Sequence, residues 1–129
     1  MPALDLHHVD SFTDRPFAGN PAAVCFLDGP REAGWMQDVA REMGLPATAF
    51  LEPVDGGFHL RWFTQEVELE LCGHATLASA HALWETGRLG AGETARFQTA
   101  SGALTAELGE RVKLGGQAVT VLQGRLLAS

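Results

Sequence analysis

The residues best suited to chemistry stand together in Leu71-Cys72-Gly73-His74-Ala75-Thr76, at the start of the apolar run Ala75 to Trp84. A thiol, a glycine and an imidazole fall at the mouth of an expected helix. Unpaired N–H groups and the positive end of the helix dipole converge at such a mouth, which suits a carboxylate or an enolate. The same field is expected to lower the Cys72 thiol pKa and to disfavour protonation of His74. The corner reads as an anion-binding site with an acid/base candidate attached. A purely structural Cys-Gly-His turn competes with this reading and is the stronger one for the tripeptide alone, because free cysteines are commonly buried.

A second candidate is Phe17-Ala18-Gly19-Asn20-Pro21, where glycine permits close backbone approach and asparagine supplies an amide that donates and accepts. A plain turn between strands is the alternative. His7 and His8 are adjacent in a strand, so their rings point to opposite faces and one is expected in solvent. Trp35, Met36 and Trp84 read as core, and His59 and His81 as hydrogen-bonded core histidines. Cys72, His74 and His81 lack the spacing of a recognised zinc set, so no metal is expected.

The elements that must position these groups follow from periodicity. Leu4 to Phe12 and Ala22 to Leu27 read as strands, and Glu32 to Met43 as an amphipathic helix with Trp35, Met36, Val39, Ala40 and Met43 on one face. Gly44 ends that helix. Ala47 to Leu51 and Phe58 to Thr64 form a hairpin through Asp55-Gly56. Ala75 to Trp84 is apolar nearly all round and rich in small residues, so other elements must wrap it. Gly87 closes it. Ala95 to Thr99, Ala103 to Leu108, Arg111 to Leu114 and Ala118 to Leu122 read as hairpin-linked strands. About eight strands and two helices without regular alternation predict an α+β domain, a mostly antiparallel curved sheet around the buried helix.

Composition agrees with one globular unit: 129 residues, 46% hydrophobic and 19% charged. Sixteen acidic residues against nine basic give a formal charge of −7, which argues against nucleic acid as a partner. No apolar run is long enough to cross a bilayer, and the first residues lack the pattern of a signal peptide. A cytoplasmic location is the expectation, with Cys25 and Cys72 as free thiols.

The motifs also occur in a telling order. Val9-Asp10-Ser11-Phe12-Thr13, Arg15-Pro16-Phe17-Ala18-Gly19-Asn20-Pro21, Thr48-Ala49-Phe50-Leu51, Arg61-Trp62-Phe63-Thr64 and Leu71-Cys72-Gly73-His74-Ala75-Thr76 together resemble the phenazine-biosynthesis PhzF-like family. That family shares the diaminopimelate epimerase fold. The resemblance implies two similar half-domains with the active site between them, and residues 4–108 correspond to the first. Residues 110–127 look like the family's closing C-terminal hairpin, so the junction near Leu108-Gly109-Glu110 is where a second half would be excised and 1–129 forms a single lobe.

By the same resemblance, Cys72 and His74 are the catalytic candidates, and Asn20, Thr64, Gly73 and Ala75 the substrate-binding ones. No cofactor is implied. The departures are equally specific. Ala47 stands where the PhzF-like isomerases carry a catalytic glutamate, Gln65 replaces a usual proline, and the second-half motif is missing. The expected function is an isomerase, epimerase or cyclase acting on a small carboxylate-bearing metabolite, its cleft rebuilt between two subunits of a homodimer. The alternative is a non-catalytic lobe that binds a small molecule or a partner.

Overall fold

A computed structural model describes residues 3–107 and 118–127. Within them an eight-stranded sheet carries one helix on each face. The elements are β1 (Leu4–Ser11), β2 (Asn20–Phe26), α1 (Ala33–Met43), β3 (Thr48–Val54), β4 (Gly57–Phe63), β5 (Glu68–Leu69), α2 (Gly73–Glu85), β6 (Ala95–Thr99), β7 (Gly102–Ala106) and β8 (Ala118–Leu126). The sheet order is β7-β6-β4-β3-β2-β1-β8, with β5 paired to β4. The β2·β3 and β4·β6 pairings are parallel and the others antiparallel. The expected α+β class and mostly antiparallel sheet are found.

Helix α2 is buried on nearly every side: Ala75, Thr76, Leu77, Ala78, Ser79, Ala80, Ala82 and Leu83 are all buried. Its small side chains let strands approach from several directions. Val9, Val24, Ala49, Leu51, Leu60, Trp62, Phe97 and Ala106 join it in one core. Burying a residue such as Leu77 or Leu83 contributes roughly 1.5–3 kcal/mol. Two side-chain hydroxyls stay in this setting by bonding carbonyls one turn back, Thr76 to Cys72 and Ser79 to Ala75, and the half-buried C-cap Thr86 bonds Ala82 in the same way.

Helix α1 covers the opposite face with Met36, Val39 and Ala40, against Leu4, Cys25, Leu27, Phe50 and Phe63. Gly44 ends it at φ 68°, its N–H reaching the Ala40 carbonyl, as the sequence predicts. The Asp55-Gly56 turn also forms, with Gly56 at φ 81°.

Three expectations need correction or limits. Ala118–Leu126 pairs with β1, on the far side of the sheet from β6 and β7. Arg111 to Leu114 and the junction near Leu108-Gly109-Glu110 lie outside the described residues. His59 is no core residue: its side chain is 41% exposed and faces Glu52 at 3.8 Å. His81 is partly exposed, bonded to Glu85 and Thr120 at 3.1 Å each. His7 and His8 do take opposite faces, His7 buried against Phe26 and His8 half-exposed beside Asp10.

Candidate functional site

Strand directions gather the candidate residues at one end of the sheet. β1 finishes at Ser11, whose register partners are Asn20 at the start of β2 and Ala118 at the start of β8. β3 runs parallel to β2 and begins at the same end, and the partner of its first residue, Thr48, is Phe63 at the end of β4. Thus Asn20, Ala47, Thr64 and the first turn of α2 share this end.

Two hydrogen bonds seat the helix mouth there. Ser11 Oγ donates to the His74 carbonyl at 2.8 Å, and Trp62 Nε1 donates to Thr76 Oγ1 at 3.1 Å. Thr76 Oγ1 in turn donates to the Cys72 carbonyl at 2.8 Å, so the Cys72 backbone is fixed through the sheet. Ser11 and Trp62 lie within the Val9–Thr13 and Arg61–Thr64 motifs but are not among the site candidates read from them. The signal for Ser11 was its period-two spacing from His7 and Val9, which puts all three on the α2 face.

Cys72 occupies the N-cap position of α2 without a side-chain cap bond, and its Sγ lies 3.3 Å from His74 Nδ1. Cys72 is 8% exposed. Burial pushes its thiol pKa up, and the Ala75 and His74 amides pull the other way. The expected lowering is therefore overturned: the helix N-terminus acts in the anticipated direction, but loss of water outweighs it. For His74 the expectation holds, since burial lowers its pKa below the ordinary 6.5. The Pro21 carbonyl opposes that shift without completing a hydrogen bond to Nε2, which is buried and unpartnered among the described residues.

The pair is thus a neutral thiol beside a neutral imidazole. Either Sγ–H points to Nδ1 and Nε2 carries the proton, or Nδ1–H points to Sγ and Nε2 offers a lone pair. In both forms Nε2 lacks a hydrogen-bond partner among the described residues. Gly73 keeps the mouth open, because a Cβ built on it meets no atom within 4 Å. Ala75 is fully buried, backbone and methyl alike.

The remaining candidates are disposed differently. Asn20 is exposed beside Ser11, and Pro21 brings its carbonyl toward His74. Gly19 makes the close approach expected of it, since a Cβ there would run into the Ser11 carbonyl oxygen. Thr64 turns inward on its own loop: its hydroxyl receives the Glu66 and Val67 N–H groups at 3.2 and 3.0 Å. With Leu45, Pro46, Gln65, Glu66 and Val67 it lines an open hollow of ≈ 340 Å³. Ala47 is fully buried in the same core cluster as Cys72. Among the described residues no group of three or more His, Cys, Asp or Glu is placed to hold a metal ion, and no helix is long and apolar enough to cross a membrane.

The chain matches known proteins in sequence and in fold. An uncharacterized isomerase of Halalkalibacterium halodurans is 52% identical over 115 residues, covering 88% of this chain and 43% of that protein. The human phenazine biosynthesis-like domain-containing protein is 45% identical over 115 residues, covering 83% and 40%. The crystal structure of a PhzF-family protein from Enterococcus faecalis superposes with a TM-score of 0.81 at 39% identity, covering 85% of this chain and 42% of that one. A hydroxyproline epimerase from Agrobacterium vitis, at 12% identity and a TM-score of 0.63, shares the fold alone. The chain spans about two-fifths of the length of these curated relatives. With the phenazine biosynthesis-like family model matching residues 9–124, the chain belongs to that family.

Proposed function

We propose that this chain is one lobe of a proton-transfer isomerase for a small carboxylate-bearing metabolite, and that a second copy closes the cleft. The observation that carries the reading is the 3.3 Å Cys72–His74 contact at an open helix mouth, with His74 Nε2 buried and unpartnered among the described residues. The substrate carboxylate would meet the unpaired N–H groups of the first α2 turn. With Nδ1–H held toward Sγ, Nε2 takes the proton from the carbon next to the carboxylate. The C–H electron pair moves into the enolate, and the imidazolium formed faces that charge until the proton is returned. Cys72 remains a thiol, setting the ring's tautomer and orientation. Asn20 contributes its amide at the rim. The names of related proteins as isomerases support this class, and two free, buried cysteines suit a reducing cytoplasm.

The test is solvent deuterium exchange into candidate amino and hydroxy acids, followed by NMR, for the parent and for Cys72→Ala and His74→Ala. Loss of exchange by roughly 100-fold or more in His74→Ala is expected. Exchange that survives both substitutions removes the pair from the mechanism.

Ala47 favours a second reading. Its methyl group, fully buried where the resemblance places a glutamate, moves no proton. A non-catalytic binding lobe would bind a carboxylate at the α2 mouth and show no exchange.

A further inference from the structure

We propose that the rim of the α2 mouth is a self-association surface on which two copies dock about a two-fold axis, each copy's 12–18 loop meeting the other's 64–71 segment. This rests on the shared-cleft part of the reading above and names the surface it requires.

Among the described residues the large apolar side chains left exposed are Phe12, Phe17, Val67, Leu71, Leu122 and Leu127. The first four border the candidate site, while Leu122 and Leu127 lie on and just beyond β8. Phe17 is 89% exposed, and its presentation is enforced. Phe12 and Phe17 stand at φ 61° and 67°, a conformation that bulky side chains seldom take. The Phe17 N–H is held by Asp10 Oδ2 at 2.9 Å, the Arg15 N–H by Thr13 Oγ1 at 3.1 Å, and Gly19 is pressed against Ser11. A loop that merely met solvent would be better served at position 17 by asparagine or glycine. Opposite it, the Thr64 hydroxyl ties the Glu66 and Val67 N–H groups and fixes the turn that presents Val67.

The two segments share apolar side chains and differ in charge. The second is acidic, with Glu66 and Glu70, while the first sets one cation, Arg15, beside one acid, Asp14, and none of these four side chains forms an ion pair among the described residues. The order β4-β3-β2-β1 puts the segments on opposite flanks of the mouth, roughly 10–15 Å apart at the usual ~4.8 Å strand spacing. A two-fold axis through the mouth exchanges them. Phe12 and Phe17 then oppose Val67 and Leu71, and Arg15 opposes Glu66 and Glu70, twice over by symmetry. A surface that carries its own complement identifies a second copy as the occupant in preference to an unrelated protein.

Sedimentation velocity and light scattering over a concentration series test this on the 129-residue chain. The parent is expected to dimerise. Phe17→Asn, a residue suited to the left-handed backbone, should leave the circular dichroism spectrum intact and raise the dimer dissociation constant about 30-fold or more. Arg15→Glu should weaken the dimer, as should Glu66→Arg with Glu70→Arg, and combining the three should restore it. A monomeric parent overturns this inference together with the shared cleft. A parent dimer unaffected by Phe17→Asn overturns this inference alone, and failure of the combined variant to recover overturns the cross-pairing. An intact dimer without proton exchange overturns only the catalytic reading.

Discussion

Ser11 Oγ donates a 2.8 Å hydrogen bond to the backbone carbonyl of His74, joining the end of β1 to the first turn of α2 across 63 residues of chain. The bond links strand register to the placement of the imidazole. Ser11→Ala is expected to cost about 1 kcal/mol in urea denaturation. It should also speed hydrogen exchange in the first turn of α2 more than elsewhere in the helix. Uniform exchange along α2 would show that the bond does not anchor the mouth.

Gly19 holds the 12–18 loop against β1. Gly19→Ala places a methyl into the Ser11 carbonyl and 2.7 Å from Thr13 Cγ2, whereas the same change at Gly29 meets nothing within 4 Å. The first variant is expected to lose about 1–3 kcal/mol of stability and the second very little. Chemical denaturation of the two side by side checks this.

Gly73 separates ligand binding from folding. A methyl there is sterically free, so Gly73→Ala should hold or slightly raise the thermal midpoint, by up to ~1 kcal/mol equivalent. The same methyl narrows the mouth that a carboxylate would enter. Calorimetric titration with small amino and hydroxy acids should therefore show weaker binding, roughly tenfold on the usual scale of one displaced polar contact. Unchanged affinity would move the ligand away from the helix mouth.

Burial sets the pH dependence of stability. The pKa values of His7 and His74 are lowered below the ordinary 6.5, so the unfolded chain takes up protons first as the medium is acidified. Stability from these two groups is fully present above about pH 6.5 and declines as the pH falls through the lowered folded values. Asp5, Glu68 and Glu85, whose carboxyls are also held below their ordinary range, extend the loss into more acid solution. A denaturation midpoint as high at pH 5.5 as at pH 7.5 would contradict this account.

The thiols provide an independent measure of the site's electrostatics. Burial pushes Cys25 up to about 12 and raises Cys72 as well. At pH 8 the native chain should alkylate at Cys72 about tenfold or more slowly than a free thiol, and more slowly still at Cys25. Both should react fully in denaturant. Rapid native labelling of Cys72 would mean that the helix field prevails over desolvation.

Much of this architecture was legible because it is local. The period of Trp35, Met36, Val39, Ala40 and Met43 marks α1, Gly44 its end, Asp55-Gly56 a turn, and the small apolar run a helix that must be enclosed. β5 escaped notice because two residues, Glu68 and Leu69, make no period. The pairing of β8 with β1 was equally hidden, since nothing near Ala118–Leu126 says which distant strand completes its hydrogen bonds. Thr64 was legible as a position beside the loop, but not as a hydroxyl already committed to the turn it begins.

The sequence by itself determined the family, the secondary elements and the presence of a thiol and an imidazole at a helix mouth, because residue types, spacings and caps act over a few neighbours. Only the tertiary structure decided that Asn20, Ala47, Thr64, Cys72 and His74 gather at one end of the sheet, since that follows from strand direction and register. It also decided the sign of the Cys72 shift. The local dipole is readable from sequence, but desolvation is a property of everything packed around the sulfur, and here burial is the larger effect.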